Sequence, residues 1–321
     1  MKVRAVSPAN IAFIKFWGKA DPKLNIPFND SFSMNLSGCL TTTGVEFDGG
    51  LKEDEVVING ESAAGERKQR VVEFLDLVRK KAGITTRAMV ESENNFPEAA
   101  GIASSASAFS ALAMAGSRAA GLQLPTGELT RLARRGSGSA CRSVVDGFGY
   151  WRKGNSDETS FAVQMADEKY WDLVDIVTVV AEERKKASST EGHAAAESSP
   201  YFKTRLANLP HRITEMKKAF KEKEFGRFGE LVEEEAVDLH MMAMTSRPPI
   251  WYWNAGTVQV INNLREWRSD GLLGFATMDA GASVHVICEK KDVEKLNRKL
   301  QELPSVKFTI INVAGKGTHE V

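Results

Sequence analysis

Apolar residues fall into two rhythms along this chain. Between Gly65 and Lys81, Val71, Leu75 and Val78 share one helical face, and Gly83 follows as a left-handed C-cap. A second helix is expected from Ser104 through the Ala-rich run to Ala120. A third is expected over Glu128–Arg135, with Thr126 as N-cap and Gly136 past its end. The other rhythm is that of strands. Residues 3–16 read as a strand or two broken around Pro8 and Asn10, and 31–47 as a hairpin turning near Ser37-Gly38. Residues 173–180 are a near-continuous apolar run, the mark of a strand buried on both faces. Residues 199–245 are mostly helical. Strands at 272–278 and 284–289 flank the turn Asp279-Ala280-Gly281, and a helix over 293–303 precedes a last strand, 306–313. Strands and helices mix without a βαβα beat. The pattern predicts an α+β chain of two lobes, 1–170 and 171–321.

Composition narrows the function classes. Forty-two basic and 42 acidic residues cancel, so nothing favours a nucleic-acid or membrane surface as partner. No run of about 18 apolar residues is present, and Met1-Lys2-Val3-Arg4 has no apolar stretch behind it to form a secretory signal. Three widely spaced cysteines, Cys39, Cys141 and Cys288, suit a reducing cytoplasm better than a disulfide framework. The histidines show no metal-ligand spacing.

Five segments carry candidate chemistry. Asn94 to Ser107 sets small residues and hydroxyls ahead of an Ala-rich helix, as a phosphate cradle requires, and it lacks the Walker pattern. On local composition it reads equally well as an ordinary helix start. Lys15 and Lys19 interrupt an apolar, aromatic stretch, where they either meet an anion or face solvent. Arg142 follows Ser137-Gly138-Ser139 and can fork onto a carboxylate or phosphate, or simply sit on a surface loop. Asp279 ends an apolar strand, as a catalytic carboxylate or a turn aspartate. Ser188, Ser189 and Thr190 follow a buried strand and can hold phosphate oxygens or line a polar loop. His240 and the nearby Met241, Met242 and Met244 read as packing or pocket lining, and Trp251-Tyr252-Trp253 as packing.

Together, in this order, these segments resemble the GHMP small-molecule kinase superfamily, in its mevalonate diphosphate decarboxylase branch. Pro8 through Lys19 is similar to the branch's PxNIAVIKYWGK, and Asn29 through Ser33 to its NDSLS. Ala100 through Ser107 is similar to AGLASSAS, and Lys186 through Gly192 to K-x-S-S-T-x-G. Ser137 through Ser143 is identical to the branch's SGSACRS, and Met278 through Gly281 resembles the third GHMP motif. The resemblance implies an N-terminal lobe like ribosomal protein S5 domain 2, a C-terminal ferredoxin-like lobe and a cleft between them.

It also implies a reaction with ATP and Mg²⁺. ATP phosphorylates the tertiary hydroxyl of 5-diphosphomevalonate, and loss of that phosphate with CO₂ gives isopentenyl diphosphate. Under this reading Asp279 accepts the hydroxyl proton, and Lys19 with Mg²⁺ stabilises the transferred phosphate. Arg142, beside Ser139, fixes the substrate carboxylate. Gly101, Ala103, Ser104, Ser105 and Ser107 hold the nucleotide, while Asn10, Phe16, Ser189 and Thr190 meet the substrate. No metal ligand set is legible. The chain is expected to be a cytoplasmic homodimer with a small-molecule substrate. Phe16 stands where the branch has tyrosine, Glu98 near a threonine, Asp146 at a glycine and Ala282-Ser283 at a Pro-Asn. Phe16 and Glu98 leave the alternative of a phosphomevalonate decarboxylase. A mevalonate-type 3-hydroxyl kinase and a nucleotide-binding protein without turnover complete the alternatives.

Overall fold

The computed structural model describes residues 2–97, 102, 104–180 and 188–321. The first half runs β1 (Val3–Ile14), β2 (Lys19–Asp21), β3 (Ile26–Pro27), β4 (Ser31–Asp48), β5 (Glu55–Ile58), β6 (Glu61–Ser62), α1 (Gly65–Ala82) and β7 (Arg87–Asn94). It continues with α2 (Ser104–Ala119), α3 (Thr126–Gly136), α4 (Ala140–Ser143), β8 (Phe148–Arg152) and β9 (Phe161–Ala166). The second half runs β10 (Leu173–Val179), α5 (Ser189–Ala195), α6 (Phe202–Glu222), α7 (Phe225–Thr245) and α8 (Ala255–Ser269). It ends with β11 (Phe275–Thr277), β12 (Val284–Glu289), α9 (Val293–Gln301), β13 (Phe308–Val313) and β14 (His319–Glu320).

The first sheet has the order β14-β1-β4-β7-β5-β6, with β8 and β9 continuing from the far end of β4. The second is antiparallel throughout, β11-β12-β10-β13. Every residue of β10 is buried, as its near-continuous apolar run predicts. Gly83 caps α1 with φ 67°, in the expected left-handed conformation.

The expected hairpin at Ser37-Gly38 does not form, because β4 is one long strand. The polar pair marks a bulge instead. The pairing with β1 slips between Pro8 and Asn10, and the freed backbone turns to the second half of the chain. The Gly38 N–H donates to Asn312 Oδ1 at 2.9 Å, and the Val313 N–H to Ser37 Oγ at 3.1 Å. Pro8, lacking an N–H, is tolerated at this irregularity rather than ending the strand.

Two cores result. One seats Phe74, Leu75 and Val78 of α1, Phe109 and Leu112 of α2, and Leu129 and Leu132 of α3 on the first sheet. The other joins the two halves through rings. Phe13 meets Phe32 at 5.4 Å and Phe228 at 5.0 Å, and Phe220 meets both Phe32 and Phe148 at 4.9 Å. Edge-on packing of this kind, around a buried centre, holds α6 and α7 against the first sheet.

Residues 314–320 follow the second sheet in sequence but belong with the first. β14 pairs with β1, Ala314 bridges to Leu36, and the Gly147 N–H donates to the Gly315 carbonyl at 2.9 Å. The Thr318 hydroxyl, inside this seam, bonds Ser7 Oγ at 2.8 Å and the Ser143 carbonyl at 3.0 Å.

Candidate active site

The end of β1, the α3–α4 turn, the start of α5 and the β11–β12 loop converge on a cleft of about 370 Å³. Its walls include Phe16, Lys19, Arg70, Ser104, Ser105, Ser139, Arg142, Ser189, Thr190, His193 and Asp279. Among the lining residues Lys19, Arg70 and Arg142 are cationic and Asp279 is the acid, so the field inside favours a polyanion.

Asp279 does not pair with Lys19. Its partner is Lys15, whose Nζ lies 2.8 Å from Asp279 Oδ1 with the lysine side chain 1% exposed and the aspartate 24%. Burial pushes the Asp279 carboxyl up. The charge and hydrogen bond of Lys15, with His285 and Arg142, outweigh it and hold the group below the usual carboxylate range. Burial in turn lowers the Lys15 pKa, although Asp279 and Glu235 act against it.

Lys15 is fixed at its backbone. Its N–H donates to Glu235 Oε2 at 2.9 Å, and its carbonyl accepts from Asn29 Nδ2 at 3.1 Å and Arg205 Nη2 at 3.0 Å. Glu235, fully buried on α7, is held ionised by Arg205 and Arg212, each at 2.7 Å, despite its burial. A charged network buried this deep is stable only when each member is paired. Its product here is a lysine ammonium placed with little freedom.

Arg142, on α4, is 2% exposed. Its Nη1 donates to Ser31 Oγ at 2.8 Å, and Nη2 and Nε share Asn10 Oδ1 at 2.9 and 3.2 Å. Asn10 is oriented by donating to Ser143 Oγ at 2.8 Å and the Ser139 carbonyl at 3.2 Å. Among the described residues no carboxylate lies within ion-pair distance of Arg142, so a buried guanidinium faces the cleft with only neutral acceptors. Burial pulls its pKa down. An arriving anion would compensate that charge.

Ser105 Oγ, Ser137 Oγ and Ser139 Oγ form a chain of hydroxyls at 3.3 and 3.5 Å. Gly138 within it is needed for close approach, since a Cβ there would lie 2.5 Å from the Phe16 ring. Ser104, Ser105 and Arg70 also line a second cavity of about 150 Å³, walled by Val56, Ile58, Val90, Asn94, Phe109 and Leu112.

Most residues singled out in the sequence meet here: Asp279, Arg142, Ser139, Phe16, Lys19, Ser104, Ser105, Ser189 and Thr190. Lys15, paired in the sequence with Lys19 but given no role of its own, is the lysine that touches the acid. Two residues differ from expectation. Asn10 holds Arg142 and is not a cleft wall. Ser107 is fully buried, its hydroxyl on Thr41 at 2.6 Å and on the Ser104 carbonyl at 3.1 Å, because it faces the sheet side of α2. Gly101 and Ala103 lie outside the described residues. His240 is packed on α7 beside Tyr252 and Trp253, as expected. Arg70 stands in no motif, and His193 closes the stretch of Ser188, Ser189 and Thr190 without a role that the sequence assigns.

Comparison with known proteins adds likenesses of three kinds. A model described as the diphosphomevalonate decarboxylase-like N-terminal domain matches residues 7–162, and one described as the mevalonate 5-diphosphate decarboxylase C-terminal domain matches 175–317. The diphosphomevalonate decarboxylase of Saccharomyces cerevisiae is 36% identical over 296 residues, 86% of this chain and 74% of that one. The phosphomevalonate decarboxylase of Haloferax volcanii is 34% identical over 306 residues, 94% and 93% of the two chains. A solved structure described as MDDEF in complex with MVAPP, AMPPCP and magnesium superposes with a TM-score of 0.96 at 39% identity, covering 100% of this chain and 99% of that one.

Proposed function

The chain belongs to the mevalonate diphosphate decarboxylase family, and we propose how its residues carry out that family's reaction. The enzyme catalyses the ATP-dependent decarboxylation of mevalonate diphosphate to isopentenyl diphosphate, ADP, phosphate and CO₂. The observation that carries the residue assignment is Asp279, paired from behind by the buried Lys15 and lining one cleft with an Arg142 that lacks an anionic partner.

A tertiary alcohol is a weak nucleophile and must lose its proton as it attacks. Asp279, ionised and held at one oxygen by Lys15, accepts that proton while the hydroxyl oxygen bonds the γ-phosphorus and ADP departs. Lys15 Nζ stabilises the charge gathering around the transferred group, with Lys19 across the cleft. The phosphate then leaves with the C–O bonding pair. The C–C bond to the carboxylate breaks to form the alkene, and CO₂ is released. Arg142 aligns the carboxylate for this step by its fixed fork.

The adenosine occupies the smaller cavity under this reading, because its phosphates would then cross Ser104, Ser105 and Arg70 into the cleft. The serine hydroxyls and the nucleotide's own oxygens suit Mg²⁺, which takes few protein ligands. Among the described residues no cluster of three His, Cys, Asp or Glu side chains competes for it. Mg²⁺, when bound, supplies neutralisation of phosphate charge.

The family resemblance further supports a homodimer working in the cytoplasm, which sedimentation velocity and fractionation test. No described helix is long and apolar enough to cross a membrane. The activity test offers 5-diphosphomevalonate and 5-phosphomevalonate in parallel with MgATP, following ADP and CO₂. Equal amounts of both from the diphosphate, abolished in Asp279→Asn, support the assignment. ADP without CO₂ would remove the role given to Arg142.

A further inference from the structure

His193, on α5, lies against Phe16 at 4.2 Å and Trp17 at 4.9 Å between ring centroids, and its ring lines the cleft. The approach depends on the neighbouring Gly192, where a Cβ would sit 2.3 Å from the Trp17 ring and 2.6 Å from the Tyr252 hydroxyl. His193 Nδ1 accepts the backbone N–H of Gly18 at 3.0 Å. A nitrogen that accepts a hydrogen bond carries no proton, so the imidazole is neutral and its single proton is on Nε2. Burial, aided by Lys19 and Arg142, pushes the His193 pKa down to about 3 and keeps that tautomer through the working pH range.

The Nε2–H is therefore a fixed, uncharged donor on a ring that lines the cleft, and it has no protein acceptor among the described residues. Beside it Phe16 offers only hydrocarbon. Ser189 and Thr190, one helical turn away, and Lys19 add further donors beside it, while Asp279 is the acid of the same cleft and acts on the imidazole from there. His193 is absent from the walls of the smaller cavity, which separates it from the nucleotide's adenosine end.

Building on the reaction assigned above, we propose that His193 is a specificity-determining residue whose Nε2–H donates to a phosphoryl oxygen of mevalonate diphosphate. It supplies a donor at a wall where Phe16 has none. Because the donor is neutral, it recognises the phosphate by direction, while Lys19 supplies attraction.

The test compares wild type, His193→Leu and His193→Gln in steady state, varying mevalonate diphosphate and ATP separately, with ¹⁵N spectra of the imidazoles. His193→Leu is expected to raise KM for mevalonate diphosphate about ten- to a hundredfold, the loss of one hydrogen bond to a charged acceptor. The KM for ATP and kcat should stay unchanged, and His193→Gln, which keeps a donor, should recover part of the loss. The spectra should show Nε2 protonated and Nδ1 bare across about pH 5.5–7.5 (one unit either side of the ordinary imidazole value), with Nε2 shifting when mevalonate diphosphate is added. An unchanged substrate KM in a folded His193→Leu, or an imidazole that gains a proton in that range, overturns the proposal while the function stands. A wild type that releases no ADP and CO₂ overturns both. Should His193→Leu fail to fold, the His193→Gln kinetics and the wild-type spectra decide alone.

Discussion

Replacing Lys15 by methionine keeps the volume of the stem and removes the ammonium 2.8 Å from Asp279. Burial alone then acts on the carboxylate, opposed by His285 and Arg142. Loss of one opposite charge at contact distance raises a carboxyl pKa by about one to three units, or about 1.4 to 4 kcal/mol. Asp279 must be ionised to take the hydroxyl proton. In the wild type its pKa is already depressed, so the kcat profile should be flat down to pH 5, about one unit above the ordinary carboxylate value. In Lys15→Met an acidic limb should rise into the measurable range, and the plateau rate should fall about a hundred- to a thousandfold with the lost electrostatic stabilisation. Stability follows the same sign. The wild-type pair stabilises the fold above the unfolded carboxyl pKa, and that contribution disappears as pH falls through the lower folded value. In the variant burial is opposed only by His285 and Arg142, so this acid-side loss of stability should shrink or reverse. ADP release measured from pH 5 to 9, with melting curves at the same points, gives both readouts. A variant whose rate is reduced but whose profile remains flat would refute the claim that Lys15 sets the charge of Asp279.

Other outcomes follow from the same geometry. Arg142→Lys keeps the charge but cannot fork onto a carboxylate, and should lower kcat about a hundredfold through misalignment, with KM for ATP unchanged. Gly138→Ala places a Cβ 2.5 Å from the Phe16 ring and should cost about 1–3 kcal/mol in stability by denaturant titration, with a raised substrate KM as Phe16 moves. Cys39, Cys141 and Cys288 are buried, with thiols pushed up to about 12, so a disulfide reagent at pH 8 should label none in the native protein and all three after unfolding.

The periodic segments of this chain were legible because each carries its own signal. The face of Val71, Leu75 and Val78 with Gly83 behind it specifies α1, and the apolar run at 173–179 specifies β10. Ser37-Gly38 misled because its polar and small residues satisfy a turn and a bulge equally. The choice is made by Asn312, far off in sequence. Lys15 and Lys19 are indistinguishable locally. Only the fold shows that Lys15 is the inward one, since its ion pair closes over 264 residues of separation. Asn10 and Ser31 look like ordinary strand residues, and their part in holding Arg142 is visible only once β1, β4 and α4 meet. His193 follows the serines of a recognised stretch, but its role rests on the Gly18 N–H, a backbone group that no side-chain pattern announces.

The seam that brings residues 314–320 back to β1 has a consequence for how the chain is made. While a ribosome is still producing the second half, β1 has its β4 partner but an open outer edge, and Ser7 waits for Thr318. An open strand edge is a template for pairing with other nascent chains. The N-terminal half is therefore an unfinished object until residues 314–320 emerge, after every strand of the second sheet. Its vulnerable interval lengthens with every pause in translating the second half.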